Sequence, residues 1–210
     1  MTKKKGIFIT FEGCDGCGKT TVISLVSKRL EELKVPFLVT REPGGSKIAE
    51  QIRNIILDKK NTEEDPRTEA LLYAASRRQH LVDVVLPALN KGELVLSDRY
   101  IDSSLAYQGY ARNIGIEEVK SINDFAIDGL MPDFTFFLDL TPEEGLKRIQ
   151  SRKRDSDRLD AEKLAFHKRV YEGYQIIIKN DPKRFIMIDA RQTPEEETEE
   201  IVSAILKAIK

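Results

Sequence analysis

The chain has few of the groups that staple or tag small proteins. Its two cysteines, Cys14 and Cys17, form a C-x-x-C, and its two histidines, His80 and His167, stand singly and far apart. A structural zinc site wants four clustered Cys or His ligands, so this spacing excludes one. A thioredoxin-like redox pair remains in principle, but both cysteines fall inside a stronger motif, and a reduced, cytoplasmic setting is expected. No stretch approaches ~20 consecutive apolar residues, which excludes a membrane-spanning helix. Lys3-Lys4-Lys5 is followed only by Ile7-Phe8-Ile9-Thr10-Phe11, too brief for the apolar part of a signal peptide. An excess of one sign of charge is also missing: 34 Lys+Arg against 35 Asp+Glu leave −1. A dedicated duplex-DNA binder would be clearly basic, so no nucleic-acid partner is expected.

What is present is 210 residues with 40% hydrophobic and 33% charged side chains, the composition of an ordinary globule. One domain over 1–210 is expected, large enough to hold a core without staples. Strand and helix signals alternate along it. Short β-rich runs lie at Gly6–Glu12, Phe37–Thr40, Glu93–Ser97, Phe134–Leu140 and Arg184–Ile188. Helical spacing of apolar residues covers Thr20–Leu33, Ile48–Leu57, Thr68–Leu89 (with a bend expected near Pro87), Ser103–Gln108 and Ile116–Ile127. Thr141-Pro142-Glu143-Glu144 and Thr193-Pro194-Glu195-Glu196 each read as a helix start, and the acidic run Glu195–Glu200 as a solvated helix face. Strands separated by helices imply right-handed crossovers and an α/β fold, a parallel sheet with helices on both sides. Ligands of such folds sit beyond the carboxyl ends of the strands.

The chemistry-bearing motifs cluster at those ends. Gly13-Cys14-Asp15-Gly16-Cys17-Gly18-Lys19-Thr20 matches G-x-x-x-x-G-K-[ST] between a strand and a helix, with Thr21 next in line. Its backbone N–H groups would cradle phosphates, Lys19 would reach the β- and γ-phosphates, and the Thr20 hydroxyl would hold Mg²⁺. That alone says nucleoside triphosphate. Asp98-Arg99-Tyr100 follows the third strand, where Asp98 would orient the hydrated metal and Arg99 would clamp phosphates with its fork. Thr40-Arg41-Glu42-Pro43-Gly44-Gly45 brings Arg41 to the same edge. Tyr73 and Arg77 share a face of the long helix one turn apart, a pairing that can stack on and hydrogen-bond a nucleobase. Ser103-Ser104-Leu105-Ala106-Tyr107-Gln108 adds a tyrosine and an amide, and an amide can meet both donor and acceptor of a pyrimidine edge. The polar stretch from Ser151 to Arg158 reads as a lid closing over phosphates. The two histidines are given no role and are read as satisfied surface or helix residues.

Taken together, Phe11-Glu12 before the phosphate loop, Arg-Glu-Pro-Gly-Gly, Ala75-Ser76-Arg77-Arg78-Gln79-His80, and Asp-Arg-Tyr with Ser-Ser-Leu-Ala-Tyr-Gln-Gly resemble the bacterial-type thymidylate kinases over essentially the whole chain. The resemblance implies a P-loop nucleoside monophosphate kinase fold with a five-stranded parallel sheet. It also implies transfer of the ATP γ-phosphoryl to dTMP to give dTDP for dTTP synthesis, Mg²⁺ dependence, and a homodimer. By matching positions, Asp15 would meet the sugar 3′-hydroxyl, and Arg41 and Arg99 would hold the dTMP phosphate. Tyr73 would stack on thymine, Arg77 and Gln108 would bond its edge, and Ser104, Tyr107 and Arg53 would line the pocket. In one subgroup the residue after the phosphate-loop acid is arginine; here it is Gly16, so Arg152, Arg154 and Arg158 of the lid are expected to supply the transition-state charge. The dimer is expected on the long helix, through Ala70, Leu71, Ala74, Leu81 and Val85. Two other classes were weighed. A guanine-nucleotide switch would need Asn-Lys-x-Asp, and Asn90-Lys91 continues instead with Gly92-Glu93. A nucleoside kinase would have no use for a second phosphate-clamping arginine such as Arg41.

Overall fold

Five β-rich runs become five strands: β1 Ile7–Glu12, β2 Phe37–Arg41, β3 Leu94–Asp98, β4 Phe134–Asp139 and β5 Phe185–Asp189. The computed structural model describes residues 6–151 and 162–209; the lid arginines Arg152, Arg154 and Arg158 lie outside them. All pairings are parallel, in the order β2-β3-β1-β4-β5. The register places Asp98 beside both Phe11 and Arg41, so the carboxyl ends of the three strands β2, β3 and β1 line up. This edge is where the motifs converge.

The strands are apolar almost throughout because both faces of the sheet are covered. Alternation splits each strand between two cores. Ile9, Phe11, Leu94, Leu96, Phe136 and Leu138 pack against α1 (Lys19–Glu32) and the last helix, α9 (Pro194–Ala208). Phe8, Val95 and Phe137 face the opposite core. That core is closed by α2 (Lys47–Leu57), α3 (Pro66–His80), α4 (Leu86–Asn90), α5 (Ile101–Ser104), α6 (Ile116–Ile127) and α8 (Leu164–Asn180). The remaining helix, α7 (Pro142–Ser151), begins at the expected threonine, whose hydroxyl donates to Glu144 at 2.6 Å. Thr193 and Glu196 exchange reciprocal bonds at the start of α9, as the sequence signal anticipates.

Four expectations change in the structure. The long helix starts at Pro66, with Asp65 accepting from the N–H groups of Arg67 and Thr68, and it runs to Asn90. The bend expected at Pro87 appears instead as a widened π-turn over Leu81–Val85, where the Leu86 N–H reaches back to Leu81. Pro87 has no N–H to continue the regular ladder, so the turn before it absorbs the mismatch. The apolar residues expected to spill onto a dimer surface do not: Ala70, Ala74, Leu81 and Val85 are core, and only Leu71 of the five is exposed. The exposed stripe of this helix is Leu71, Ala75 and Val82, at helical spacing. Glu197 is likewise turned inward, whereas Glu195, Glu196, Glu199 and Glu200 form the solvated face foreseen.

Candidate active site

The phosphate loop leaves β1 and enters α1 through three glycines with positive φ, Gly13, Gly16 and Gly18. At Gly16 a side chain is excluded twice over, by φ +80° and by the Gly145 carbonyl, which lies 2.2 Å from where a Cβ would sit. Gly18 caps α1 without a side-chain bond. The N–H groups of Thr21 and Val22 both turn to the Gly18 carbonyl (3.0 and 3.1 Å), while those of Lys19 and Thr20, at the very start of α1, take no backbone acceptor among the described residues and face the loop as an anion site would require. Lys19 curls back over the loop, donating from Nζ to the carbonyls of Gly13 (2.9 Å) and Cys14 (3.3 Å). Cys14 and Cys17 are free and buried, and they enter opposite cores, Cys14 on the α3 side and Cys17 on the α1 side. Burial, with Cys17 and Asp15 nearby, pushes the Cys14 thiol well up, against thiolate chemistry. The redox reading of the pair therefore finds no support.

Arg99 crosses the mouth of this loop. Its backbone is left-handed (φ 70°), held by an N–H to Phe11 O (3.0 Å) and by the Ser97 hydroxyl on its carbonyl (2.9 Å). Such a conformation costs a non-glycine residue on the order of 1 kcal/mol and is a feature of built sites. The guanidinium donates to Asp15 Oδ1 (2.5 Å), Ser103 Oγ (3.1 Å), Gly13 O (3.3 Å) and the hydroxyls of Tyr107 and Tyr174 (3.3 Å each). The other Asp15 oxygen accepts from Tyr107 at 2.7 Å. Burial works to raise Asp15, but Arg99 and Lys19 together hold it below the usual carboxylate range.

Behind Arg99 stands Glu12, at the end of β1 and fully buried. It accepts from the N–H groups of Tyr100 (2.8 Å) and Ser103 (3.3 Å), from Ser103 Oγ (2.6 Å) and from Tyr174 (2.7 Å). Burial and neighbouring Asp102 push its carboxyl upward. Glu12 thus ties the start of α5 and helix α8 to the strand that carries the phosphate loop.

The predicted base-recognition residues meet along two helices. Arg77 is buried and well engaged: Nε donates to Glu42 (2.7 Å), Nη1 to Ser104 (3.1 Å) and Asn123, and Nη2 to the Tyr100 carbonyl (3.0 Å). Four of its five N–H groups are thereby used among the described residues, and the fifth could meet a ligand. Gln108 donates to Glu69 (2.8 Å), and Arg112 pairs with the same carboxylate at 3.4 Å. Tyr73 lies between these two rungs on α3. The other residues expected in that pocket, Ser104, Tyr107 and Gln108, come from α5 and the π-helical stretch Leu105–Ala111. Widened helical turns of this kind recur at functional sites.

Arg41 is exposed and paired with Glu50 (2.9 Å) at the same sheet edge, and Arg53 donates to the Pro43 carbonyl (2.8 Å). A cavity of about 340 Å³ there is lined by Thr20, Thr40, Arg41, Gly45 and Asp98, among others. Asp98 Oδ1 is buried without a hydrogen-bond partner among the described residues. An orphaned carboxylate oxygen on a residue that lines the same cavity as Thr20 suits Mg²⁺. No cluster of three or more His, Cys, Asp or Glu side chains that could hold a metal exists among the described residues.

Sequence reading passed over Glu12, Glu42, Glu69, Asn123 and Tyr174. Of the two settings expected for the histidines, the helix holds and the surface does not: His80 ends α3 and His167 lies on α8, both buried. His80 is fully buried, bonded to Thr40 Oγ1 (2.6 Å) and Glu42 (3.0 Å), and its ring fills the space beside Gly45 where a Cβ would lie 2.5 Å away. His167 is buried too, with Nδ1 3.9 Å from Asp15 and Nε2 unpartnered among the described residues. The signal for Glu69 was available: Glu69, Tyr73 and Arg77 are spaced four apart on one helix face.

Comparison with known proteins agrees with this geometry. The family model described as thymidylate kinase matches residues 11–201. A thymidylate kinase of Bacillus pumilus is 55% identical over 206 residues, covering 98% of this chain and 97% of its own. One of Clostridium novyi is 55% identical over 198 residues, covering 94% and 97%. The crystal structure of thymidylate kinase from Ehrlichia chaffeensis superposes with a TM-score of 0.77 at 32% identity, covering 96% of this chain and 98% of that one. With the phosphate loop, the arginines at its mouth and a match that spans nearly every element, the chain belongs to the thymidylate kinase family.

Proposed function

We propose that this enzyme transfers the γ-phosphoryl of ATP to dTMP, giving dTDP for dTTP synthesis, in the following way. Such transfer demands little covalent work from the protein; positioning and charge stabilisation carry it. The phosphate loop and Lys19 hold the ATP phosphates. The Thr20 hydroxyl would hold Mg²⁺ and Asp98 would orient its shell; bound there, the ion would supply charge screening for the transferred group. Arg41 and Arg99 hold the acceptor phosphate at the carboxyl edge of β2 and β3. Asp15 reaches the sugar 3′-hydroxyl, and Tyr107 crowds the position where a ribose would carry its extra hydroxyl. Tyr73 stacks on thymine while Arg77 and Gln108 read its edge, with Ser104 and Arg53 completing the pocket. Arg152, Arg154 and Arg158 close over the nucleotide and stabilise the transition state, because Gly16 leaves the loop no arginine of its own.

The observation that carries this reading is the register of the sheet, which sets Arg41 and Asp98 side by side next to the phosphate loop. The chain works as one domain, in the cytoplasm; no described helix is long and apolar enough to cross a membrane. It pairs with a second copy through α3 and α6. Leu71 and Val82 on the long helix are about half exposed and Phe125 on α6 is 91% exposed, and Arg78 donates to the Ala126 carbonyl (3.3 Å), tying the two helices together.

A coupled ADP-release assay with dTMP, dUMP, thymidine or no acceptor tests the reaction. Turnover is expected with dTMP and Mg²⁺. Equal ADP release with and without a monophosphate would make the protein a simple ATPase.

A further inference from the structure

Two polar rungs connect α3 to the segment 101–111. One is Arg77 to Ser104, at 3.1 Å, and the other is Gln108 to Glu69, at 2.8 Å. Glu69, Tyr73 and Arg77 repeat every four residues on α3, and Ser104, Gln108 and Arg112 repeat every four residues opposite them. Tyr73 therefore sits between the rungs, and a base stacked on it lies within reach of both.

The second rung has a direction that chemistry imposes. Glu69 is buried and paired with Arg112, which itself stacks over Phe166 (4.5 Å) and bonds Glu162 (2.6 Å). A carboxylate held by a guanidinium accepts hydrogen bonds and offers none, so only the amide nitrogen of Gln108 can face it. The Gln108 oxygen is then turned the other way. It takes no donor among the described residues, although Gln108 is only 1% exposed. A nearly buried acceptor left open asks for a donor from a ligand.

We propose that Glu69 is a positioning residue for base choice: by pinning the Gln108 nitrogen it presents the amide oxygen to the base and admits pyrimidines that carry a proton on N3. Thymine and uracil have that N–H. Cytosine has a bare N3 lone pair, which would oppose the Gln108 oxygen acceptor to acceptor. Without the carboxylate, the amide could turn over and offer its nitrogen to cytosine. The inference rests on the dTMP reading above and names the device behind one of its contacts.

The test compares kcat and KM for dTMP and dCMP in the wild type, Glu69→Gln, Gln108→Ala and the double variant. A neutral amide at position 69 can donate or accept, so Gln108 is no longer fixed. In Glu69→Gln the dTMP KM is expected to rise about tenfold with kcat within about twofold, and the dCMP:dTMP ratio of kcat/KM to rise about tenfold. In the Gln108→Ala background the same change should leave that ratio alone. A folded Glu69→Gln enzyme with an unaltered ratio overturns the proposal, because a purely structural Glu69 would depress both substrates together. Should Glu69→Gln fail to fold, hydrogen exchange of the Gln108 side-chain amide in the wild type decides. One protected Nε2 proton is expected, and none protected overturns the proposal. A wild type with no dTMP-dependent ADP release would instead end the reading on which it rests.

Discussion

The two sides of the sheet are built on different terms. Toward α1 and α9 the core is apolar, with Val26, Leu30, Leu96, Leu138 and Ile201 fully enclosed, and Glu197 is the buried acid there among the described residues. Toward α3, α5 and α8 three glutamates lie inside: Glu12, Glu42 and Glu69. Each stands behind a residue that the proposed mechanism places on the substrate. Glu12 shares Ser103 and Tyr174 with Arg99, Glu42 holds Arg77, and Glu69 holds Gln108. The dry side supplies stability, while the wet side spends part of its burial on fixing polar groups whose wrong orientation would be costly.

The sharpest way to break the comparison is to remove one glutamate. Glu42→Ala leaves the Arg77 guanidinium buried without its carboxylate and also strips His80 of a partner. Loss of one member of a buried pair costs about 3–5 kcal/mol, so urea unfolding should show a large drop, and the dTMP KM should rise with it. On the dry side, Leu30→Ala should cost a comparable ~2–5 kcal/mol, by cavity formation, yet leave the dTMP KM unchanged. If Leu30→Ala moved KM as much as Glu42→Ala did, the division between the two sides would be lost.

That division also explains what could be read in advance. A sheet covered on both faces must be apolar along every strand, so all five strands stood out as short runs, and the glycine-rich loop marked the ligand edge. Arg41, Arg77, Arg99 and Gln108 were legible because cationic and amide groups at that edge have an obvious use. Their carboxylate partners were not. A glutamate in sequence looks like surface, and the contacts that bury these three come from 35 to 162 residues away: Glu12 from Tyr174, Glu42 from Arg77, Glu69 from Gln108. Glu197 misled for the same reason, in a run of acids where its neighbours are solvated.

Glu197 gives the comparison a pH axis. Burial, with a smaller contribution from Asp189, raises its carboxyl to about 7, while Arg148 works against the rise. The folded state therefore binds a proton more tightly than the unfolded chain, whose glutamate titrates near 4.5. The contribution of Glu197 to stability is fullest below about pH 4.5 and is lost as the pH climbs through about 7. Glu197→Gln removes that penalty, and unfolding at pH 8 should become harder by about 2 kcal/mol, with little change at pH 5. Because Glu197 lies on the dry side, kcat and KM should stay put at both values. A stability gain that is equal at the two pH values would show that Glu197 is not protonated in the folded protein.

The smallest effect probes the wet side at a single hydroxyl. Tyr174 on α8 donates to Glu12 at 2.7 Å, shares a bond with Ser103 at 3.0 Å, and accepts from Arg99 at 3.3 Å. Its ring packs on Phe137 and Tyr107 and stays in place when the oxygen is removed. Tyr174→Phe then deletes one node of the network without opening a cavity. Glu12 keeps Ser103 and two backbone N–H groups, so the stability cost should be only about 1 kcal/mol. Arg99, however, loses one of the groups that aim it across the phosphate loop, and a few-fold fall in kcat is expected because in-line transfer is sensitive to small misplacements. Ile201→Val on the dry side costs a similar ~1 kcal/mol and should leave kcat untouched. Two substitutions matched in stability and separated in kcat would place the difference between the sides in the orientation of Arg99 rather than in stability; equal kcat values would remove Tyr174 from the aiming of that arginine.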